Sequence, residues 1–456
     1  MSIRKAFTPN YGIIATFAFL IVAYQLHWFQ NLLGVTRPEE ISIVILIATA
    51  VLWISEALPL YITSLGVLFV QIFWLLPELQ VSGIVAEKED FLISFFGDIT
   101  LLFMGGFVLA ALLNKYGLSR MMARSIIQRT GNSPSLILLS IILVSSILSM
   151  WMSNTATAAM MFAIMAPIVM GLPDTSHFSK AMALAIPFAC NLGGIGTPIG
   201  TPPNAIAMEY LLQAGINITF ASWMLVAVPL MLVLLFLLWK ILLKLYPPGD
   251  VEIELEIETF HTLGKRQYIV LTIFLVTVLG WLTSGTTGIS TGMVGLFVVL
   301  AAFGSRLLET QDFKNISWDI LFMLGGGLCL GVGLKLSGLT ETIAQFIPIG
   351  YSLWIVLLFL VVVAAVMTTF MSNTATANLL IPVAVALPHG ELVLVIAISL
   401  MCSSSMVLPI STPPNAIAFG SGLLKSREMQ SSGLLVTFLA LIGIMITCVF
   451  YLPLFF

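Results

Sequence analysis

The sequence predicts an all-α polytopic membrane protein of about eleven transmembrane helices plus two re-entrant helical hairpins, laid out as inverted repeats. Three observations carry that expectation. The 456 residues are 59% hydrophobic and only 9% charged, with a mean hydropathy of +1.09, where soluble domains are about one quarter charged. Ser153-Asn154-Thr155-Ala156-Thr157-Ala158 recurs 219 residues later as Ser372-Asn373-Thr374-Ala375-Thr376-Ala377. Lysine and arginine fall almost wholly on one side of the expected membrane. Backbone groups cannot go unpaired in lipid, so the apolar runs read as helices. A net charge of -3 says nothing about partners, and no stretch is left over for a separate soluble domain.

Apolar runs of spanning length fall at about 11–31, 41–59, 61–76 and 91–114. The first lacks a small-residue cleavage site and reads as a retained helix rather than a signal peptide. Residues 115–132 carry Lys115, Arg120, Arg124 and Arg129 and read as an amphipathic helix on the membrane surface. A hairpin is expected at 133–171, a broken helix at 180–212 and a span at 219–246. The polar loop 247–266 divides the halves. Its acidic-apolar alternation from Asp250 to Glu258 reads as a solvated connector. The second half has runs at 267–285, 288–305 and 317–337, a hairpin at 350–387, a broken helix at 391–421 and a last span at 433–455. The domain reading is therefore 1–40 as an N-terminal segment with the first helix, 41–246 as the first repeat, 247–266 as a cytoplasmic linker, and 267–456 as the second repeat.

With the N-terminus cytoplasmic and each hairpin returning to its own side, fifteen of the 18 basic residues face the cytoplasm. Only Arg37, Lys88 and Lys335 lie outside. The positive-inside rule favours this arrangement, with the C-terminus outside. The repeat reaches beyond the hairpins: Asp98 to Gly106 resembles Asp319 to Gly327, and Gly117-Leu118-Ser119 matches Gly338-Leu339-Thr340. Five spans separate the copies, an odd number, so the halves are expected to be inverted, with hairpin tips meeting near the midplane.

Each triplet has a downstream partner, Gly200-Thr201-Pro202-Pro203-Asn204 in the first half and Ser411-Thr412-Pro413-Pro414-Asn415 in the second. Ser, Asn and Thr favour the N-cap, so each triplet is expected to start a helix whose unpaired N–H groups and dipole suit an anion. One isolated triplet would read as interhelical glue; two inverted copies with proline-bearing partners read as a binding site. Ser149 and Ser153 are four apart, as are Thr368 and Ser372, and that spacing puts a hydroxyl on the same helix face one turn before each triplet. The prolines remove backbone donors and free carbonyls. Such oxygens, with the hydroxyls and amides, suit a hard cation such as sodium. No buried Lys or Arg is expected there, so a co-bound cation would supply the charge an anion needs.

At these residues the chain resembles the divalent anion/sodium symporter family, the dicarboxylate carriers related to INDY. The likeness runs from about residue 40 to the end. It implies a dimerising scaffold domain and a transport domain that moves as an elevator, in the cytoplasmic membrane. It implies one sodium site at Ser149, Ser153, Asn154 and Gly200 and another at Thr368, Ser372, Asn373 and Ser411. Substrate carboxylates would meet Asn154, Thr155, Thr201, Asn373, Thr374, Thr412 and Pro413. Partners would be a small dicarboxylate, sodium ions, lipid and a second copy of the chain, with no nucleic acid and no organic cofactor. The chain departs from many relatives at Thr369 and Met371, where they carry an acidic residue and a threonine.

The leading expectation is sodium-coupled uptake of a C4-dicarboxylate such as succinate, malate or fumarate. The alternatives are a sodium-independent di- or tricarboxylate exchanger and a sulfate or citrate carrier of the same family. A channel would need a continuous pore. An enzyme is disfavoured because Glu56, Glu209, His27, His177, His261 and His389 share no metal-ligand or acid–base spacing; the histidines read as interfacial or packing residues. Cys190, Cys329, Cys402 and Cys448 lack a disulfide or zinc spacing and read as packed thiols.

Overall fold

The computed structural model describes residues 11–172, 176–249, 263–345, 352–387 and 390–456. The Asp250–Glu258 connector, His261 and His389 lie outside them. The described residues form helices, turns and loops, with no strand among them. The first half contains α1 (Tyr11–Gln25), α2 (Arg37–Ser55), α3 (Leu60–Val70), α4 (Asp98–Lys115), α5 (Leu118–Gln128), α6 (Pro134–Ser149), α7 (Asn154–Met170), α8 (Phe178–Gly194), α9 (Pro202–Gln213) and α10 (Phe220–Leu245). The second contains α11 (Lys265–Leu282), α12 (Thr291–Gly304), α13 (Trp318–Leu336), α14 (Leu339–Gln345), α15 (Leu353–Phe370), α16 (Asn373–Val385), α17 (Glu391–Ser404), α18 (Pro413–Gly420) and α19 (Ser426–Ile446). Each helix from α2 to α10 thus has a counterpart from α11 to α19. Helix α3 continues through a π turn at Gln71–Leu75 into Leu76–Val81.

Among the described residues, eight helices are long and apolar enough to cross a bilayer, the longest running from Ser426 to Leu454. Their outward faces stay apolar: Phe73 is 73% exposed and Leu300 64%. That pattern suits lipid rather than water. All four cysteines are buried free thiols. Helix α5 is amphipathic as the sequence indicates. Ser119, Ala123 and Ile127, spaced by four, are buried, while Arg120 and Arg129 are exposed.

The halves pack across each other as well as on themselves. Helix α4 lies along α12 of the second half, and α13 lies along α3 of the first. Glycine permits both crossings. A Cβ on Gly105 would sit 2.7 Å from Gly295 O, and one on Gly326 would sit 2.5 Å from Ser64 Oγ. Gly105 and Gly326 share the repeat offset of Asp98 and Asp319. At the α4–α12 contact, Asp98 Oδ2 accepts from Thr291 Oγ1 at 2.9 Å and from Gly292 N at 3.0 Å, and Ser290 Oγ donates to Asp98 Oδ1. A carboxylate there satisfies one orphan N–H, that of Gly292, at the start of α12. Asp319, the sequence counterpart, is exposed, so the repeated residue does not repeat the role.

The surface helices are held crosswise as well. Glu39, in the first turn of α2, accepts from its own N-cap Thr36 N at 2.6 Å and from Thr342 Oγ1 on α14. Gln267, in the first turn of α11, accepts from Gly264 N at 2.8 Å and donates from Nε2 to Tyr116 O, just before α5, at 3.0 Å. Each half therefore caps one of its own helices with a side chain that also grips the other half.

Candidate binding site

The two triplets begin helices, as their residue types predict. Ser153 caps α7, its Oγ accepting from Ala156 N at 3.2 Å; Ser372 caps α16, accepting from Ala375 N at 3.1 Å. Both caps have extended backbones, which ends the preceding arm and lets the chain reverse. This overturns one expectation. Ser149 and Ser153 do not share a helix face, because α6 ends at Ser149 and Ser153 belongs to the next helix. Thr368 and Ser372 are divided in the same way. The upstream hydroxyl instead meets the asparagine of the triplet. Ser149 Oγ donates to Asn154 Oδ1 at 2.5 Å, and Thr368 Oγ1 donates to Asn373 Oδ1 at 2.6 Å. Ser149 and Thr368 are fully buried.

The broken helices supply the rest. A Cβ on Gly194 would lie 2.9 Å from Asn154 Oδ1 and 3.2 Å from Gly200 O, so the end of α8, the start of α7 and Gly200 meet at one place. Of the first sodium set, Ser149, Asn154 and Gly200 are brought together; the Ser153 hydroxyl is committed to its cap. In the second half, Cys402 O lies 3.0 Å from Thr368 Oγ1 as an alternative acceptor for its one proton. Ser411 Oγ, meanwhile, donates to Thr369 O at 3.2 Å and accepts from Leu408 N at 3.0 Å. Ser411 therefore braces the break rather than joining the Thr368–Asn373 pair.

The carbonyls of the breaks are not left free, as the prolines suggested. Asn204 Nδ2 donates to Thr197 O at 2.8 Å and Gly194 O at 3.0 Å, while Asn415 Nδ2 donates to Met406 O and Leu408 O, both at 3.0 Å. Thr197 Oγ1 donates to Met150 O at 2.5 Å. Buried carbonyls without partners are costly, and the motif's own asparagines remove that cost. Pro202-Pro203 and Pro413-Pro414 occupy the first turns of α9 and α18, where a missing N–H loses nothing.

Each triplet helix lies against a proline-motif helix of the opposite half. Helix α7 packs on α8 and α18, and α16 packs on α17 and α9. Thr412 caps α18, accepting from Asn415 N at 3.3 Å. Thr201 precedes α9 without a side-chain cap and accepts from Ser403 Oγ of the other half at 3.2 Å. Thr374, Thr201 and Thr412 are buried, Asn154 and Asn373 are half-buried, and Thr155 and Pro413 are exposed. Each helix start carries about half a positive elementary charge. Among the described residues no Lys or Arg is buried, so these dipoles are the site's fixed positive potential. The donor set of hydroxyl, amide and carbonyl oxygens fits a hard monovalent cation, and the N–H groups and threonines fit a carboxylate.

Sequence reasoning missed three contributors: Asn191, Ser399 and Ser403. Asn191 is the only amide side chain in α8, and Ser403 opens the Ser403-Ser404-Ser405 run. A lone polar residue inside an apolar helix was the available signal.

The comparisons with known proteins follow the same line. The citrate transporter family model, CitMHS, matches residues 50–392. The sodium-dependent dicarboxylate transporter SdcS of Staphylococcus saprophyticus is 31% identical over 468 residues, covering 91% of this chain and 88% of that protein. An uncharacterized transporter of Haemophilus influenzae is 33% identical, covering 91% of this chain and 92% of that one. Among solved structures, the YdaH transporter of Alcanivorax borkumensis aligns with a TM-score of 0.55 at 11% identity, covering 81% of this chain and 87% of that one. MtrF of Neisseria gonorrhoeae aligns with a TM-score of 0.54 at 9% identity, covering 79% and 82%. The two structures share the fold.

Proposed function

Because this chain belongs to the citrate transporter family, a family of multi-pass membrane transporters rather than enzymes, we propose that it couples sodium to the uptake of C4-dicarboxylates. The observation that supports this reading is the packing of each triplet helix, α7 and α16, on a proline-motif helix of the opposite half, with the oxygen pairs Ser149–Asn154 and Thr368–Asn373 at the triplets and no buried Lys or Arg among the described residues. Two carboxylates at low effective dielectric are poorly compensated by helix ends alone. A sodium ion at each oxygen pair completes the charge balance. To admit the ion, the hydroxyl proton turns away and leaves both oxygens of the pair facing it. Asn154, Thr155, Thr201, Asn373, Thr374, Thr412 and Pro413 remain the substrate contacts of this reading. The transport domain moves as an elevator in a homodimer of the cytoplasmic membrane.

Coupling is reciprocal, so sodium tightens dicarboxylate binding by the factor with which dicarboxylate tightens sodium binding, about 5–150-fold for a typical 1–3 kcal/mol. Succinate affinity by calorimetry is expected to fall by that range when sodium is replaced with choline at equal ionic strength. Equal affinities in a protein that still transports would remove sodium coupling and leave a dicarboxylate exchanger.

Orientation has its own test. With the N-terminus cytoplasmic, a cysteine at residue 124 is expected to resist an impermeant thiol reagent in intact cells, and one at residue 88 to react. Labelling at 124 and protection at 88 would invert the topology.

A further inference from the structure

Asn191 lies on α8, fully buried, and donates across the halves. Its Nδ2 is 3.1 Å from Thr412 Oγ1 and 3.4 Å from Asn415 Oδ1. The direction of these bonds follows from their neighbours. Met406 O and Leu408 O accept from Asn415 Nδ2, which turns Asn415 Oδ1 toward Asn191. An amide oxygen only accepts, so Asn191 must present its Nδ2 there. That same nitrogen then donates to Thr412 Oγ1, which already accepts from Asn415 N. A hydroxyl has two lone pairs and one proton. With both lone pairs filled, Thr412 has only its O–H left to offer. Asn191 Oδ1, buried and without a partner, is the cost of keeping this orientation.

The other half has a related arrangement. Ser403 Oγ donates to Thr201 Oγ1 at 3.2 Å, and Ser399 Oγ donates to Asn204 Oδ1 at 3.1 Å. Each half thus sends a donor from its first broken-helix segment into the threonine of the opposite half.

We propose that Asn191 is a positioning residue that fixes Thr412, the binding-site threonine of the opposite half, as a hydrogen-bond donor toward the transported anion. The chain of partners runs from backbone carbonyls through Asn415 and Asn191 to the Thr412 hydroxyl. A threonine free to rotate would as readily offer a carboxylate its lone pairs, which repel it. The inference rests on the reading of the site as an anion site.

The test is a double-mutant cycle on the full chain in detergent, with anion affinity read by calorimetry in sodium. The probe is whichever of succinate, citrate and sulfate the wild type binds. Asn191→Ala is expected to weaken that anion about tenfold, the scale of one charge-assisted hydrogen bond, while sodium binding without anion changes less than about twofold. Placed on a Thr412→Val background, Asn191→Ala is expected to add less than about twofold, because the hydroxyl it acts through is gone. Equal losses on both backgrounds overturn the proposal and make Asn191 a packing residue. If Asn191→Ala is not recovered folded, Asn191→Leu, which keeps much of the volume but lacks the donor, takes its place in the cycle and decides by the same criterion. A wild type that binds none of the three anions overturns the anion-site reading and this inference with it. Anion binding with an additive cycle overturns the inference alone.

Discussion

Replacing Asn154 or Asn373 with alanine is expected to bring sodium-driven dicarboxylate uptake in proteoliposomes down by at least about 100-fold, equivalent to about 2.7 kcal/mol. Each substitution deletes the amide oxygen that faces Ser149 or Thr368, and so half of an oxygen pair. Each also removes a polar group at the first position of α7 or α16. Folding is expected to survive, because the helix caps are Ser153 and Ser372, not the asparagines. For Asn154→Ala the stability cost is the buried Ser149 hydroxyl left without its acceptor, about 1–3 kcal/mol; for Asn373→Ala it is smaller, because Thr368 Oγ1 still has Cys402 O at 3.0 Å. Gly194→Ala offers an independent route to the same phenotype, since its Cβ would lie 2.9 Å from Asn154 Oδ1 and displace the amide. The readouts are labelled succinate uptake and a monodisperse elution profile. Two folded asparagine variants that transport at the normal rate would reduce the triplets to helix glue.

Gly105→Val is expected to prevent the folded protein from being recovered at all. The added Cβ would stand 2.7 Å from Gly295 O and 2.8 Å from Gly295 C. Both obstructing atoms are backbone, so no rotamer change relieves the clash. Helices α4 and α12 would have to separate, which also pulls Asp98 from the start of α12. Overpacking alone costs about 1–3 kcal/mol; with the Asp98 hydrogen bonds broken as well, the sum exceeds the margin of many proteins. Gly304→Val is the control, because a Cβ there meets nothing within 4 Å. Its only expected penalty is a small propensity change at a helix end. Recovery of folded, active Gly105→Val would mean that the two helices can move apart without loss of the fold.

Much of the architecture was legible because its signals are local. Runs of apolar residues marked the long apolar helices, though eight rather than eleven of those described are long enough to cross a bilayer; the Ser-Asn-Thr triplets gave N-caps at Ser153 and Ser372, and Pro202-Pro203 and Pro413-Pro414 marked the starts of α9 and α18. Their duplication tied the triplets to the proline motifs, and each triplet helix packs on a proline-motif helix of the opposite half. Partner choice at long range was not. Nothing local in Asn191 says that its donor meets Thr412, 221 residues on. The same-face reading of Ser149 and Ser153 failed because it assumed an unbroken helix, whereas the extended Ser153 backbone starts a new one. The free carbonyls failed for another reason: Asn204 and Asn415, read as part of a motif, turned out to be the groups that pair them.

The crosswise packing of α4 on α12 sets a schedule for the ribosome. Asp98 and Thr291, which meet in the finished protein, are 193 residues apart in the chain. At about 5–20 residues per second of synthesis, α4 waits roughly 10–40 s for its partner. During that interval the face carrying Gly105 has nothing of its own to close against, and the nascent first half stands in the bilayer with an open seam. Helix α13, by contrast, emerges to find α3 already inserted. The last-made half can therefore dock as it emerges, whereas α4 of the first-made half waits for α12.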